Sequence, residues 1–425
     1  MPALSAIKAV AFQYESRESV KPLLETFRTM VNHALWIGTR KRIRGRFRLI
    51  MAVYGEFKRY GLHTHYTLSA CEVASAILKN HRRKHRAPVA RRLFLKLDSQ
   101  SYKLQGENLR IPIKPRQYVI LKLRFGEYQR RFLEDSRLRI GSVTLTESKL
   151  VVAFKKAEPK RLDYQSVIAY DTNELSLDGA FSNGSEIKPI VIDLREISRI
   201  RAFHFNRRRQ LQSRLAHCQR RLRMKLAKSR ERERRRVDCV LHGVAKRQVS
   251  FAKENNAKVI LEDLKGVRWA VNRRVSKLNP YNSRLQQVSV HSKSLRRRLN
   301  SWPFRRVHAF IEYKAAWENV PLSYVPAKYT SRACPRCGCL QTGHTGELDL
   351  KTRQVFQCPR CGWRCNRHLN AALNLLKTQD EGRWFSPDRF PNEVMTVVRR
   401  AYGEEARPDA SRPEPQNPFN EADVN

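Results

Sequence analysis

The stretch SRACPRCGC (331–339), continued after a gap by QCPRCGWRCNRHLNAALNLL (357–376), decides how the second half of the chain is read. Cys334, Cys337, Cys358 and Cys361 form two C-x2-C knuckles separated by residues 338–357. Two cysteines so spaced sit on one tight turn and can aim both thiolates at one face of a metal. Two such knuckles complete the tetrahedral sulfur site that zinc favours, with no further ligand needed when its role is structural. A zinc ribbon over 331–364 is therefore expected, with Zn2+ as its cofactor. Directly behind it runs NRHLNAALNLL (366–376), an apolar, asparagine-rich helix that the ribbon positions.

Upstream, AKVILEDL (257–264) has the continuous apolar character of a buried parallel strand, and it ends in Glu262 and Asp263. SVIAYDTNELSLDGAF (166–181) reads as an apolar strand ending in Asp171, a turn and a second strand; SEIKPIVIDL (185–194) adds a third, closing a meander. One long helix is expected from Arg195 to Asn255. Its segment 195–236 holds 17 Lys or Arg against three Glu, and Leu211, Leu215, Cys218, Leu222 and Leu226 form one packing stripe along it. The density of the basic remainder points to phosphate contact, with Arg207, Arg208, Arg209, Arg220, Arg221, Arg234 and Arg235 as candidates. Arg296 and Arg297 join them beside Trp302 and Phe304, where basic and aromatic side chains alternate as they do in single-strand binding surfaces.

The N-terminal half has a different periodicity. Residues 5–13 alternate like a strand. Apolar residues from Lys21 to Arg86 fall at helical spacing, and period two returns in YVILKLRF (118–125), RIGSVTLT (139–146) and KLVVAFK (149–155). A β-barrel over 1–16 and 90–160, interrupted by a helical lobe over 17–89, accounts for this order. The fold class is thus α/β plus β.

The chain has 425 residues, enough for two or three domains, and carries 85 Lys plus Arg against 39 Asp plus Glu, a formal charge of +46. A field of that size implies a polyanionic partner, nucleic acid or an anionic membrane surface. No run approaches the roughly 18 apolar residues of a membrane span, and residues 1–19 alternate like a strand, without the long apolar run expected of a secretory signal. The remaining cysteines are scattered, which suits a reducing cytoplasm. Nucleic acid, not a membrane, is the expected partner. The Pro- and acid-rich stretch 403–425 cannot bury a core and is expected to be a disordered tail.

A carboxylate at the C-terminal end of a central strand is where an α/β sheet places its chemistry. Asp171 and Glu262, on different strands, can converge on divalent cations, and two such ions clamp the attacking and leaving oxygens of phosphodiester hydrolysis. Either acid alone is most simply a turn or cap residue. The succession of strand Asp, basic helix, strand Glu, ribbon and helix makes the pair specific.

In that succession residues 165–376 resemble the catalytic half of the transposon-encoded TnpB (OrfB) family, relatives of type V CRISPR effector nucleases. Asp171 in AYDTNE resembles the first RuvC motif, in a variant where Asp-x-Asn-Glu replaces Asp-x-Gly; Glu262 in ILEDLKGV resembles the second. YTSRACPRCG (329–338) resembles the entry to the ribbon and NAALN (370–374) the exit. The N-terminal half matches in layout only, a wedge interrupted by a recognition lobe. The resemblance implies an RNase H-like (RuvC) nuclease domain over 161–330 and 365–402. It implies an RNA-guided DNA endonuclease of a transposable element, using Mg2+ or Mn2+, with a guide RNA and a double-stranded DNA target as partners. It further implies a monomer in a prokaryotic cytoplasm, at the nucleoid when bound to DNA.

One departure matters. The family's third motif usually reads Asp-Arg-Asp-x-Asn-Ala-Ala, and its second Asp completes the metal triad. Here the stretch is Asn366-Arg367-His368-Leu369-Asn370-Ala371-Ala372, and His368 takes the catalytic position. Three readings stay open. His368 acts as ligand or general base, with nitrogen ligation tilting preference toward manganese; another carboxylate substitutes, among Asp263, Asp380 and Glu381; or cleavage is lost and a guided, repressor-like DNA-binding protein remains.

Overall fold

The computed structural model describes residues 6–16, 18–81, 86–114, 116–156, 163–340, 355–379 and 383–385. The chain divides into two compact units, Met1–Pro159 and Lys160–Asn425.

The first unit runs β1 (Ile7–Ser16), α1 (Lys21–Arg40), α2 (Arg46–Phe57), α3 (His65–Asn80), β2 (Leu95–Leu97), β3 (Lys103–Gln105), β4 (Asn108–Lys114), β5 (Gln117–Arg124), α4 (Glu127–Glu134), β6 (Leu138–Leu145) and β7 (Leu150–Lys156). All the strands join one antiparallel sheet in the order β2-β6-β7-β1-β5-β4-β3. β1 is shared between two ladders: Ile7 to Phe12 pair with β7, and Gln13 to Ser16 pair with β5. The strand before the helices therefore pairs with strands after them, as the interrupted period-two pattern requires. The helices bury Leu24, Phe27, Val31, Ala34 and Leu35 of α1, which packs on α3.

The second unit opens with β8 (Ser166–Thr172), β9 (Ser176–Ser182), β10 (Ile187–Asp193), α5 (Arg195–Arg214), α6 (Gln219–Glu254) and β11 (Ala257–Asp263). It continues through α7 (Val267–Val271), β12 (Arg274–Leu278), β13 (Leu285–Ser289), α8 (Lys293–Ser301), α9 (Phe304–Glu318), β14 (Leu322–Pro326), β15 (Val355–Gln357), β16 (Arg364–Asn366) and α10 (Arg367–Lys377). Its main sheet has the order β10-β9-β8-β11-β14: an antiparallel meander, then β11 parallel to β8 and β14 parallel to β11. Both faces are covered, so the central strands read as unbroken apolar runs.

Strand parity assigns the residues to the faces. Ile168, Tyr170, Val259 and Leu261 pack with α5, α6 and α9 through Ile197, Ile200, Leu241, Val244, Val307 and Ile311. Val167, Ala169, Ala180 and Ile260 pack on the other side with Leu369, Ala372, Leu373 and Leu376 of α10. Gly179 is required by this packing. A Cβ there would come within 2.6 Å of the Tyr170 ring, closer than side-chain atoms approach one another.

The single helix expected over 195–255 is instead two helices, interrupted at Leu215–Cys218, where Cys218 caps α6 and the chain turns back. The hairpin brings His204 of α5 to Ser229 of α6, and Arg208 to Glu233. A continuous helix would strand that buried histidine and glutamate among arginines. The turn also breaks the expected apolar stripe: of its five residues only Leu222 is buried.

Candidate functional site

The same parity that sorts the core places the carboxylates. Asp171 follows Val167 and Ala169 by steps of two, Glu262 follows Ile260, and Asp178 precedes Ala180, so all three stand on the face that α10 covers. Asp178 lies directly opposite Asp171 across the β8–β9 hairpin. One amide joins them: Nδ2 of Asn173 donates to Oδ2 of Asp171 at 2.8 Å and to Oδ2 of Asp178 at 2.9 Å. Oε1 of Glu262 accepts the backbone N–H of Thr172 at 2.9 Å.

These groups are nearly dry. Asp178 is 1 % exposed, Glu262 6 % and Asp171 8 %. Burial first, and the Asp171 charge second, push the Glu262 carboxyl up to about 8, against the smaller opposing pull of the Thr172 N–H. His308 of α9 sits behind the pair with Nε2 2.8 Å from Oγ1 of Thr172. Burial lowers its pKa to about 4, so it is neutral at physiological pH.

His368 reaches the acids from α10, its Nδ1 3.0 Å from Oδ2 of Asp171. Asn366, one of the two departures from the expected motif, has its own work: it is the N-cap of α10, and its Oδ1 accepts the backbone N–H groups of His368 at 2.8 Å and Leu369 at 3.4 Å. Asparagine caps a helix about as well as aspartate, so this replacement keeps the helix start that holds His368.

Asp263 does not join the group. Its side chain pairs with Lys265 Nζ at 2.9 Å, and that hydrogen bond holds its carboxyl below the usual range. Asp380 and Glu381 lie outside the described residues, as does the tail 403–425. Asp178, Asn173 and His308 were not among the expected site residues. The signal that finds Asp178 is register: a hairpin closing between Thr172 and Ser176 must set it against Asp171.

A hard divalent cation wants oxygen ligands, and magnesium is usually held by one or two carboxylates plus substrate phosphates and water. Asp171, Asp178 and Glu262, buried on one face, supply oxygens of that kind. Among the described residues only the four ribbon cysteines gather three or more metal-binding side chains within 4.8 Å of one another. The acid site therefore offers a cation at most two of these side chains at once, not a closed cage.

The four cysteines form a closed cage. Sγ of Cys334 and Cys361 are 3.6 Å apart, and those of Cys337 and Cys358 are 3.5 Å apart. Sulfurs on a tetrahedron about 2.3 Å from zinc stand about 3.8 Å apart, so the four thiols fit that metal. Burial raises the Cys334 thiol; at Cys358 burial also raises it, but the backbone N–H groups of Cys361 and Arg360 and the Cys337 and Cys361 thiols together outweigh it and pull it down to about 6. The asparagines of α10 fasten this module to the sheet. Nδ2 of Asn370 and of Asn374 both donate to the carbonyls of Thr330 and Ala333, at 2.8–3.3 Å. The segment entering the ribbon and the helix leaving it are thereby tied together.

The candidate arginines divide. Arg208, Arg209 and Arg297 line one cavity of the second unit. Arg207, Arg220, Arg221 and Arg234 stand exposed on α5 and α6, Arg235 pairs with Glu231, and the buried Nε of Arg296 has no hydrogen-bond partner. Trp302 is core, 2 % exposed.

Comparison with known proteins places the chain. It is 30 % identical over 295 residues to the TnpB-like protein MJ0751 of Methanocaldococcus jannaschii, covering 68 % of this chain and 97 % of that one. The chain belongs to the TnpB family. Residues 304–375 of this family member match the model of the Cas12f1-like TNB domain, and residues 23–112 match that of the uncharacterized MJ0013 family. A CRISPR-associated endodeoxyribonuclease Cas12f2 from a Micrarchaeota archaeon is 25 % identical over 147 residues, which are 33 % of this chain and 23 % of that one. Among solved structures, a Cas12f1–sgRNA–target DNA complex matches with a TM-score of 0.54 at 15 % identity, over 84 % of this chain and 82 % of that one. The likeness is one of fold, mixed α and β across both units. No described helix is long and apolar enough to cross a membrane.

Proposed function

We propose that this TnpB-family chain is an RNA-guided DNA endonuclease of a transposable element, hydrolysing phosphodiesters at a RuvC-like, RNase H-like site made by Asp171, Asp178 and Glu262. The observation that carries the reading is that Asp171, Asp178 and Glu262 are buried side by side on one sheet face, Asp171 and Asp178 bridged by the Asn173 amide and His368 3.0 Å from Asp171. A family relationship to TnpB, and a fold shared with an effector solved on guide RNA and target DNA, support the guided mode. In this reading residues 1–16 and 90–160 form the wedge, 17–89 the recognition lobe, 161–330 and 365–402 the nuclease domain, and 331–364 the zinc ribbon.

Asp171, Asp178 and Glu262 would hold Mg2+ or Mn2+, which when bound acidifies the attacking water and offsets charge on the phosphoryl oxygens. The protein's own part is orientation. The Thr172 N–H and the Asn173 amide aim the carboxylates, and the neutral His308 holds the Thr172 hydroxyl. His368, with a side chain 29 % exposed, takes the position of the absent aspartate and accepts a proton from the attacking water. Asp178 is then the substituting carboxylate, in place of Asp263. Guide and target are gripped through shape and backbone, and base pairing supplies sequence choice.

One observation favours a second reading. Oδ2 of Asp171 is occupied by both Asn173 and His368, which suits a guided DNA-binding protein that no longer cuts. Purified protein with its guide RNA and a matching duplex decides between them: cutting in Mg2+ or Mn2+ supports the nuclease, and retarded but intact DNA in both supports the binder.

A further inference from the structure

A cavity of about 760 Å³ is walled by α5, α6 and α8 and rimmed by Glu174 and Leu175, just past Asp171 in the chain. Its size falls in the range of roughly 300–1,000 Å³ typical of ligand pockets. Its charge is one-sided. Of the five arginines that line it, Arg208 is committed to Glu233 and Arg298 to Glu174, the latter at 3.1 Å. Arg209 and Arg297 make no ion pair among the described residues. The Arg297 guanidinium lies 3.9 Å from the centroid of the Phe205 ring. The fifth, Arg201, is poorly satisfied: its buried Nε has no hydrogen-bond partner and stands 3.9 Å from Glu233. Ser198 Oγ, also on the wall, is buried and unbonded. Both atoms are enclosed by protein, so the uncommitted groups left open to a ligand are the exposed guanidiniums of Arg209 and Arg297.

The lining answers to one ligand chemistry. Uncommitted guanidinium groups suit a phosphate, and Phe205 beside Arg297 offers an aromatic surface to a base. The floor is also wired to the acid site. Trp302 Nε1 donates to the Glu174 carbonyl at 2.6 Å, and Glu174 closes the turn that carries Asp171 and Asn173.

We propose that this cavity binds one nucleotide of the single DNA strand presented to the carboxylates, with phosphate on Arg209 and Arg297 and base against Phe205. The inference rests on the nucleic-acid reading above and adds to it a discrete pocket that fixes the strand's position next to Asp171.

The test uses the full-length, zinc-loaded chain without guide RNA or added divalent cation, so it does not depend on cutting. Binding of a short labelled oligodeoxythymidylate is followed by anisotropy, and a photoreactive thymidine in the same oligonucleotide maps the contact by cross-linking. Arg209 and Arg297 are exposed, so Arg209→Ala/Arg297→Ala leaves the core intact. That pair is expected to weaken binding roughly tenfold or more, and Phe205→Leu to do the same through lost stacking. The charge-matched pair Arg220→Ala/Arg221→Ala is expected to cost about twofold, as diffuse phosphate attraction would. Cross-links are expected in 195–214 and to vanish in Phe205→Leu. Equal losses in both arginine pairs, or cross-links elsewhere, overturn the pocket while leaving nucleic-acid binding standing. With a labelled oligouridylate of the same length run in parallel, a loss confined to that ribo-oligonucleotide overturns the assignment to DNA. No binding of either oligonucleotide overturns both the pocket and the nucleic-acid reading.

Discussion

Glu262→Gln makes the protein more stable above about pH 8 while removing a proposed metal ligand. Without a cation the native state holds a proton on Glu262 up to about pH 8, against an ordinary 4.5. The unfolded chain releases that proton near 4.5. Between those values the native state binds more protons than the unfolded state, so stability falls as pH rises through the window and is level on either side. At about 1.4 kcal/mol per tenfold change in proton affinity, the window bounds the loss at roughly 5 kcal/mol, and coupling to Asp171 brings it to a few. Glutamine keeps the oxygen that accepts the Thr172 N–H at 2.9 Å and has no charge to bury. Urea unfolding followed by tryptophan fluorescence, in zinc-replete buffer free of other divalent ions, should show variant and wild type within about 1 kcal/mol near pH 5. Above pH 8 the variant should lead by a few kcal/mol. Mn2+ should stabilise the wild type more than the variant, which has lost one proposed ligand. A wild-type profile that is flat from pH 5 to 9, or a variant that is no more stable above pH 8, refutes the buried-pair electrostatics.

Other changes test neighbouring parts of the site. Asp178→Asn should weaken Mn2+ binding, read by calorimetry on the whole protein, by roughly 10–100-fold, whereas Asp263→Asn should leave it unchanged. Cys337→Ser should lose zinc, seen as metal content falling from one ion per chain, and should raise amide exchange across 355–366. Asn374→Ala leaves the buried Thr330 and Ala333 carbonyls with only Asn370 as donor. It should destabilise the second unit by about 1–3 kcal/mol in denaturant unfolding.

Much of this site is legible in the residues. Strand parity alone sends Asp171 and Glu262 to one face, because Val167, Ala169 and Ile260 must be buried on it. Cysteine spacing gives the ribbon, and the helix behind it brings His368 to within 3.0 Å of Asp171. What composition and period miss is register and reversal. Asp178 looks like an isolated acid in SLDGAF until the hairpin sets it opposite Asp171. His308, far along the chain, has no pattern at all and enters only through the packing of α9. The break at Leu215–Cys218 is hidden because both halves are equally basic and helical. Across it Glu233 pairs with Arg208 of α5, a match that no local pattern announces. Asn366 and the NAALN asparagines are legible as a motif, but their work as a cap and as donors to Thr330 and Ala333 is not.

Asp171→Ala, assayed in the purified protein–guide RNA complex on matching duplex DNA with Mg2+ and with Mn2+, tests the central claim most directly. The account predicts that wild type cuts and that the variant binds the same DNA with unchanged affinity but cuts at least about a thousandfold more slowly. Cutting that survives Asp171→Ala would contradict it.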